Sequence, residues 1–384
     1  MNLLYFSRRY TTHDRRFLES LSAAACRVSY LRLHSEDLDL RALPSGVVSI
    51  PCVAASSHGA NYWTVYRRLR RVLAEVKPQV MIAGPVQTAA LLGALTGYSP
   101  LLTMSWGSDL LVEADRSRAM RAATRFVLRR SAGVLGDCQA VRDAVTRFAS
   151  MPEDRIVTFP WGVDPQTFSP RVSELPLRQE LGWVQNPILI STRNWEPIYS
   201  VQTVVEAFAL LRQLHPETRL LLLGDGSQRA RIMDLIHRLG LANFIHTPGR
   251  VSNDLLPEYL RLANLYVTAA LSDGTSVSLL EAMACGLPVV VTKGYGNLEW
   301  VTPQQNGWLV EPGNPEILAK TLDEALTNPA RLRVLGNANR SAVLDRADWK
   351  RNFPKLLGLL ERLSQPPFQP GQLCRRRLFP TEVQ

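Results

Sequence analysis

One stretch decides the fold of this chain: Leu271-Ser-Asp-Gly-Thr-Ser-Val-Ser-Leu-Leu-Glu-Ala-Met-Ala-Cys-Gly-Leu-Pro288. It begins at the end of an apolar run, passes through small and hydroxylated residues, and continues as good helix formers that Gly286 and Pro288 stop. The pattern predicts a strand, a tight loop and a short helix. Because the first turn of a helix leaves backbone N–H groups unpaired beside a partial positive charge, this loop suits an anionic group such as a diphosphate.

Two carboxylates flank the loop. Asp273 lies in the loop and Glu281 lies in the helix, eight residues further on. Because carboxylates accept hydrogen bonds from hydroxyl groups, the pair is placed to bind hydroxyls on two sides of a bound phosphate. The alternative interpretation is an ordinary serine-capped helix beside a buried strand.

These residues resemble the signature of the retaining nucleotide-sugar glycosyltransferases of glycosyltransferase family 4: a Glu, seven residues, a second Glu, then Ala-Met-Ala and Gly-x-Pro-Val-Val. Here the acids are Asp273 and Glu281, and Ala282-Met-Ala284 and Gly286-Leu-Pro-Val-Val290 follow, so the first acid is one methylene shorter. The resemblance implies that Asp273 holds hydroxyls of the donor sugar and Glu281 the nucleotide ribose. It also implies that the intervening residues bind the donor: Gly274, Thr275, Ser276, Val277 and Ser278.

A second match lies in Ser191-Thr-Arg-Asn-Trp-Glu-Pro-Ile-Tyr199. Family members usually have Gly-Arg here and a Lys five residues later, and both cations neutralise the donor diphosphate. Arg193 matches the Arg, so the resemblance implies a catalytic role for it beside the two acids, with pairing to Glu196 as the alternative. Ile198 occupies the Lys position. Further contacts with the nucleotide-sugar donor are predicted at the loop residues Gly224, Gly226, Arg250, Val251 and Lys293. Lys293 is a candidate to replace the charge of the missing lysine.

Strands and helices alternate on both sides of a polar, proline-containing linker. This alternation predicts parallel sheets with helices on both faces. The expected fold class is α/β: two Rossmann-like doubly wound parallel-sheet domains facing across a cleft, the GT-B arrangement. The expected divisions are an acceptor-side N-terminal domain over 1–165, a linker over 166–187, a nucleotide-sugar-binding C-terminal domain over 188–345, terminal helices over 346–364 that return to the N-terminal domain, and a disordered tail over 365–384.

The first domain is expected to hold the acceptor. His13, Asp14 and Arg16 follow the first predicted strand, at the edge where open parallel sheets bind ligands. A His-Asp pair at the start of a helix is as often a cap, so a capping role is the alternative.

Later strands of the same domain supply the other acceptor-side candidates. Gln87 follows one strand, and the loop Ser105-Trp-Gly-Ser-Asp109 follows the next. In many family members a similar loop reads His-Gly-x-Asp. Trp106 stands where the family has His, so no catalytic His is carried over, and Trp106 and Asp109 are retained as binding candidates.

Composition limits the location and the partners. The net charge is +10, no run of 18 apolar residues occurs, and the five cysteines are scattered. We therefore expect a cytoplasmic protein with no membrane span, no disulfide framework and no zinc site. One predicted helix carries four arginines within about 80° of one another around its axis, at 100° per residue. This stripe suits contact with the inner face of an anionic membrane, and the alternative is that it is only the solvent-exposed face of the helix. The stripe consists of Arg118, Arg121, Arg125 and Arg129.

The function that the resemblance implies is transfer of a sugar, with retention, from a nucleotide-diphosphate donor to a glycan or glycolipid acceptor of the cell envelope. No metal and no cofactor are expected, because Arg193 and helix amides would stabilise the leaving diphosphate. The alternatives are a non-catalytic sugar-nucleotide-binding scaffold and a sugar-nucleotide epimerase. Nucleic acid is not expected as a partner, since the arginines accompany no recognition module.

Overall fold

The structure is a computed structural model, and it describes residues 1–35, 41–51 and 62–365. Except for Gln365, the predicted tail lies outside the described residues. Contacts divide the chain into two units. The first consists of Met1–Gly136, Arg142–Val157 and the chain from Phe353 onwards, and the second of Asp137–Val141 and Thr158–Asn352.

The first sheet has seven strands: β1 (Asn2–Ser7), β2 (Arg27–Arg32), β3 (Val47–Ile50), β4 (Val80–Gly84), β5 (Leu101–Met104), β6 (Gly133–Gly136) and β7 (Ile156–Thr158). Their order is β3-β2-β1-β4-β5-β6-β7. Leu3 in β1 lies opposite Val28 and Val80, with both pairings parallel. Strands β4, β5 and β6 are buried along their whole length, as expected of parallel strands that are covered on both faces.

Helices follow most of these strands: α1 (Thr12–Ala23), α2 (Tyr62–Val76), α3 (Leu91–Leu95), α4 (Ser108–Leu111), α5 (Arg118–Arg130) and α6 (Gln139–Phe148). A short π-helical turn, Val86–Ala90, leads into α3. Helix α2 has the bounds that its apolar periodicity predicts.

Two of these helices differ from the sequence prediction for identifiable reasons. The sequence predicts a helix from Phe17 to Ala25, but α1 begins at Thr12, because Thr11 and Asp14 form a reciprocal capping box. Helix α6 was not predicted. The carboxylate of Glu299 accepts the amides of Gln139 and Ala140 at its start, and a cap from so distant a residue leaves no local signal.

The second sheet has six strands: β8 (Ile188–Ser191), β9 (Arg219–Leu222), β10 (Ile245–His246), β11 (Leu265–Val267), β12 (Val289–Thr292) and β13 (Gly307–Val310). Their order is β10-β9-β8-β11-β12-β13, and all neighbours pair in parallel. The predicted class, two parallel-sheet α/β units, is therefore confirmed.

The remaining helices are α7 (Leu177–Glu180), α8 (Val201–Leu214), α9 (Arg229–Arg238), α10 (Leu256–Leu262), α11 (Val277–Ala284), α12 (Tyr295–Leu298), α13 (Pro315–Leu326), α14 (Pro329–Arg346) and α15 (Trp349–Ser364). Helix α14 was not predicted, although Asn328 caps it and Pro329 occupies its first position. Within residues 1–35, 41–51 and 62–365, no helix is both long and apolar enough to cross a membrane.

The second sheet is covered on both faces. Helices α8, α9 and α13 pack on one face around Phe208 and Trp195, while α10 and α11 pack on the other around Leu280 and Tyr266. The segment predicted as a linker contributes Phe168 to this second core.

The strand order of the second sheet places a ligand site. The order reverses between β8 and β11, and in open parallel sheets ligands bind beyond the carboxyl ends of the strands at such a reversal. Arg193 follows β8, and Asp273 follows β11. The two residues that the sequence analysis singles out therefore lie at the switch point of their own sheet.

Candidate active site

Arg193 is the centre of the polar cluster at this switch point. Its Nη2 donates to Asp273 Oδ2 at 2.6 Å, and its Nη1 donates to Ser276 Oγ and, at 2.9 Å, to Ser278 Oγ. Its Cζ lies 3.9 Å from the centre of the Tyr199 ring. Charge-assisted hydrogen bonds and a cation–π contact fix a planar guanidinium in one orientation.

The charge of Arg193 persists although the residue is 9% exposed. Burial acts to lower the pKa of its guanidinium, but the Asp273 carboxylate acts in the opposite direction, and the net shift of the pKa is upward. Arg193 therefore remains a cation inside the protein. The alternative pairing with Glu196 does not form, because the Glu196 carboxylate accepts instead from Ser227 N and Ser227 Oγ.

The first turn of α11 completes the cluster. Ser276 is the N-cap, and its hydroxyl also accepts from Leu279 N. Capping by Ser276 leaves the amides of the first two helical residues, Val277 and Ser278, without an intrahelical partner. The predicted loop and helix start thus form an anion-binding geometry next to a fixed cation.

Several buried polar atoms at this sheet edge have no hydrogen-bond partner among the described residues. They belong to side chains at the ends of β8 and β11 and in the adjoining segment before α6: Ser191 Oγ, Arg193 Nε, Thr268 Oγ1, Ser272 Oγ and Asp137 Oδ1. A buried polar atom left unpaired costs about 1–3 kcal/mol, and native proteins concentrate such atoms where a ligand or water completes them. A bound ligand or an ordered water could complete the hydrogen bonds of these atoms.

The glycines of Gly224-Asp-Gly226 serve close packing. A Cβ on Gly224 would lie 2.4 Å from Arg193 O, and one on Gly226 would lie 2.6 Å from Trp195 O. Gly224 also has a φ of +113°, which disfavours other residues. Their observed role is to let this turn support the Arg193 loop, and direct donor contact by these glycines stays a prediction.

Glu281 is buried on α11 with 6% exposure. It lies about one and a half turns beyond Ser276, on the same helix whose first turn contacts Arg193. Glu281 is therefore buried on the helix whose first turn contacts Arg193, and ribose binding by Glu281 stays a prediction.

The structure separates two other predicted donor contacts from the cluster. Lys293 pairs with Glu311 at 2.6 Å, and both side chains are largely exposed. Arg250 is exposed as well, while Val251 packs on the second core. Lys293 therefore has an acidic partner of its own on the surface, and Arg193 is a cation that the structure places at the start of α11.

The sequence analysis missed Asp137. Its Oδ2 accepts from Thr275 N at 2.9 Å and its backbone oxygen accepts from Thr275 Oγ1 at 2.8 Å. Its carboxyl also fills the space where Gly274 lacks a side chain, since a Cβ there would lie 2.4 Å from Oδ2. Burial first, and then the nearby Asp273, raise the pKa of Asp137 to about 7. The one sequence signal for Asp137 is that an acidic residue directly follows the buried strand β6, at the edge where parallel sheets bind ligands.

At the edge of the first sheet, Asp14 caps α1. Its Oδ2 accepts from Thr11 N and Thr11 Oγ1, and its Oδ1 accepts from Tyr5 Oη at 3.0 Å. Burial raises its pKa to about 7. His13 and Arg16 are half-buried on the first turn and a half of α1, so all three lie in the helix instead of a loop. The structure supports the capping alternative for Asp14.

Asp109 and Gln87 connect elements of the first unit. Asp109 Oδ1 accepts from Ser105 Oγ and from two backbone amides, and Oδ2 accepts from Val86 N at 2.9 Å. Burial raises its pKa. Gln87 Nε2 donates to Asp109 O and Thr124 Oγ1. These contacts are structural, and acceptor binding by either residue stays a prediction.

Trp106 lies against His13, with ring centres 5.6 Å apart. The structure thus brings together two acceptor-side candidates from separate loops of the sequence. Among the residues that the structure describes, no group of three or more His, Cys, Asp or Glu side chains is arranged to hold a metal.

Comparison with known proteins agrees with this geometry. The family model of the glycosyl transferases group 1 matches residues 175–342, and that of the glycosyl transferase 4-like family matches residues 2–137. The chain therefore belongs to the family 4-like glycosyltransferases and is a glycosyltransferase.

Similar proteins include two named GDP-mannose-dependent alpha-(1-6)-phosphatidylinositol monomannoside mannosyltransferase. The one from Mycolicibacterium smegmatis is 24% identical over 77% of this chain and 80% of its own length, and the one from Mycobacterium tuberculosis is 27% identical over 77% and 79%. Among solved structures, Anabaena HepE in complex with UDP and glucose has a TM-score of 0.80 at 19% identity, covering 94% of this chain and 100% of that chain. The fold is that of the GT-B glycosyltransferases.

Proposed function

We propose that the protein transfers a sugar from a nucleoside-diphosphate donor, with retention, and that Arg193 stabilises the leaving diphosphate. One observation carries this proposal: a buried, charged guanidinium is held at the start of α11 by Asp273, Ser276 and Ser278. A fixed cation beside free helix amides is preorganised for the negative charge that develops on the leaving group.

The two acids take different parts in this proposal. Asp273 binds donor-sugar hydroxyls through Oδ1 while its Oδ2 holds Arg193, so it also positions the cation. Glu281 binds the nucleotide ribose. Loss of Asp273 is therefore expected to weaken donor binding as well as transfer.

GDP-mannose is the first donor to test, because the two mannosyltransferase relatives are named for it. UDP-glucose is the second, because HepE has been solved with UDP and glucose. The same relatives make a phosphatidylinositol mannoside the first acceptor to test. The acceptor class in this proposal is accordingly a glycolipid of the cell envelope.

Binding and transfer are tested separately. A donor at 100 times its dissociation constant stabilises a protein by about 2.7 kcal/mol, which a thermal-shift assay detects. We expect one nucleotide sugar to do this with the wild type and to be much less effective with Arg193→Ala. Transfer to the glycolipid, with the anomeric configuration of the product read by NMR, then distinguishes a retaining transferase from a binding scaffold. Inversion, or binding without transfer to any glycolipid, would contradict the proposal.

The reaction is proposed to need no metal, because Arg193 and the α11 amides supply the positive charge at the diphosphate. EDTA is expected to leave the transfer rate unchanged. Activity that disappears with EDTA and returns with Mg²⁺ would contradict this part.

The protein is also proposed to work at the inner face of a membrane through the arginine stripe on α5. Arg118, Arg121, Arg125 and Arg129 are all exposed, although Arg121 is paired with Asp115 at 2.9 Å. Each basic residue near an anionic surface contributes roughly 1 kcal/mol, so replacing all four by Gln should abolish sedimentation with anionic vesicles. Replacing exposed arginines of α9 is the control, and equal loss in both would argue for nonspecific attraction.

A further inference from the structure

Asp137 holds part of the donor loop through both its side chain and its backbone. Its side chain and its backbone both bind Thr275, which lies between Gly274 and the N-cap Ser276. The carboxyl also blocks any side chain at position 274. The three residues from Gly274 to Ser276 are therefore fixed from behind by one acid.

Asp137 thereby also fixes two hydrogen-bond acceptors of Arg193. Asp273 directly precedes the fixed segment and Ser276 ends it, and both accept hydrogen bonds from the guanidinium. A displacement of Thr275 would move both acceptors at once. Asp137 thus acts on the diphosphate site through the loop, without touching Arg193 itself.

The charge state of Asp137 matters because its neighbours are acidic. Asp273 faces it from the loop after β11, and Cys138 adjoins it on its own segment, with a pKa raised by burial so that the thiol stays neutral. Glu299 lies beyond, on the amides of Gln139 and Ala140. The one cation of the cluster, Arg193, is already shared with Asp273.

We propose that Asp137 is a positioning residue of the donor site, whose neutral carboxyl group holds the Gly274–Thr275 backbone while the anionic donor is bound. This inference rests on the proposed function. A neutral carboxyl still accepts from Thr275 N through Oδ2, while its other oxygen carries the proton. An ionised carboxyl would add a second negative charge beside Asp273, behind the site that receives a diphosphate.

The consequence is a pH-dependent affinity with a definite sign. Because burial raises the pKa of Asp137 to about 7, the neutral form predominates below pH 7 and is lost above it. If the donor binds only the neutral form, its affinity falls by up to about tenfold for each pH unit above the pKa. The protein should also take up a proton when it binds donor at pH 8, and this proton belongs to the protein, because the diphosphate diester of a nucleotide sugar is fully ionised and does not titrate near neutral pH.

The experiment measures affinity for GDP-mannose and UDP-glucose by calorimetry between pH 6 and pH 8.5, in buffers of different ionisation enthalpy. Asp137→Asn keeps an acceptor for Thr275 N and cannot ionise, so it should bind as the wild type does at pH 6 and show no pH dependence and no proton uptake. Asp137→Ala loses the acceptor and should bind more weakly at every pH. Asp234→Asn, which removes an exposed carboxylate from α9, is the matched control and should keep the wild-type profile.

The possible outcomes distinguish a failure of the proposed function from a failure of the inference about Asp137. If the wild type binds neither of these nor any other nucleotide sugar at any pH, the proposed function fails and this inference fails with it. If the wild type binds but its affinity does not change with pH, or if Asp137→Asn keeps the same pH dependence, the inference alone is wrong. Unaltered binding by Asp137→Ala would likewise remove the positioning role.

Discussion

The buried acids at the carboxyl edges of the two sheets differ in how completely the protein satisfies their hydrogen bonds. At the first edge, both oxygens of Asp14 and both oxygens of Asp109 accept hydrogen bonds from nearby backbone or side chains. At the second, Arg193 has an unpaired Nε and Asp137 an unpaired Oδ1 within the described residues. Both edges are rich in polar residues, and the difference lies in their buried acids: among the described residues both carboxyl oxygens are paired in Asp14 and in Asp109, but only one is paired in Asp137.

This difference distinguishes a structural acid from a binding residue. A buried group whose hydrogen bonds are complete stabilises the fold and gains nothing from a ligand. A buried group that lacks a hydrogen-bond partner destabilises the protein by about 1–3 kcal/mol, and a ligand that supplies the partner removes this destabilisation. The comparison predicts that substitutions at the two edges affect different properties: catalysis and donor affinity at the second, stability at the first.

The largest effect is expected at Arg193. Removing one preorganised donor at a developing oxyanion lowers turnover by about 10²–10³-fold, and Arg193→Ala should reach the upper end because Ile198 cannot share the charge. Arg193→Lys should recover little, since Lys lacks the planar fork that meets Asp273 and two serines at once. The measurement is single-turnover transfer with saturating donor.

An Ile198→Lys variant, made in both the wild-type and the Arg193→Ala background, sharpens this test. It restores the lysine that family members usually have, so it should raise the residual rate of Arg193→Ala. A rate above about a tenth of wild type for Arg193→Ala alone would show that another cation carries the diphosphate charge.

How much of this site the sequence predicts depends on whether the signal is local. Arg193, Asp273 and the α11 loop lie in short motifs whose residues are close in the chain, and the structure brings them together. Periodicity likewise predicts a helix from Val201 to Leu214 and a strand from Leu265 to Val267, and α8 and β11 have these bounds. A motif can be recognised when its residue types and spacing carry the chemistry.

Other features were missed because they depend on contacts between distant residues. Asp137 binds Thr275 across 138 positions, and Glu299 caps α6 across 160. No local sequence pattern around Asp137 indicates that it binds Thr275. At Asp14 the signal was local, since Thr-x-x-Asp is a capping pattern; the structure forms this capping box, and acceptor binding at this residue stays a prediction.

A smaller effect, of a different kind, is expected at Asp109. Asp109→Ala would leave the buried amides of Val86, Trp106 and Leu110 without their acceptor. We expect a loss of about 2–5 kcal/mol in the free energy of unfolding, measured in urea, since each stranded group costs about 1–3 kcal/mol and some relaxation occurs. Donor affinity at a temperature where the variant is folded should stay within about threefold of wild type, a change of less than 1 kcal/mol. A stable variant with weakened binding would show that the first edge is also a donor site.

The smallest effect is expected at Lys293, which the sequence offers as a substitute for the missing lysine. Its ammonium pairs with Glu311, and the two side chains are 47% and 60% exposed. An exposed pair of this kind contributes about 0.2–1 kcal/mol, so Lys293→Met should change neither stability nor single-turnover transfer by more than about threefold. Glu311→Gln is the matched control, because it breaks the same pair while leaving the lysine in place. If Lys293→Met slowed transfer by tenfold or more while Glu311→Gln did not, Lys293 would have to leave Glu311 and reach the diphosphate when the donor binds. The second edge would then hold two cations instead of one, and the burden assigned to Arg193 would have to be divided between them.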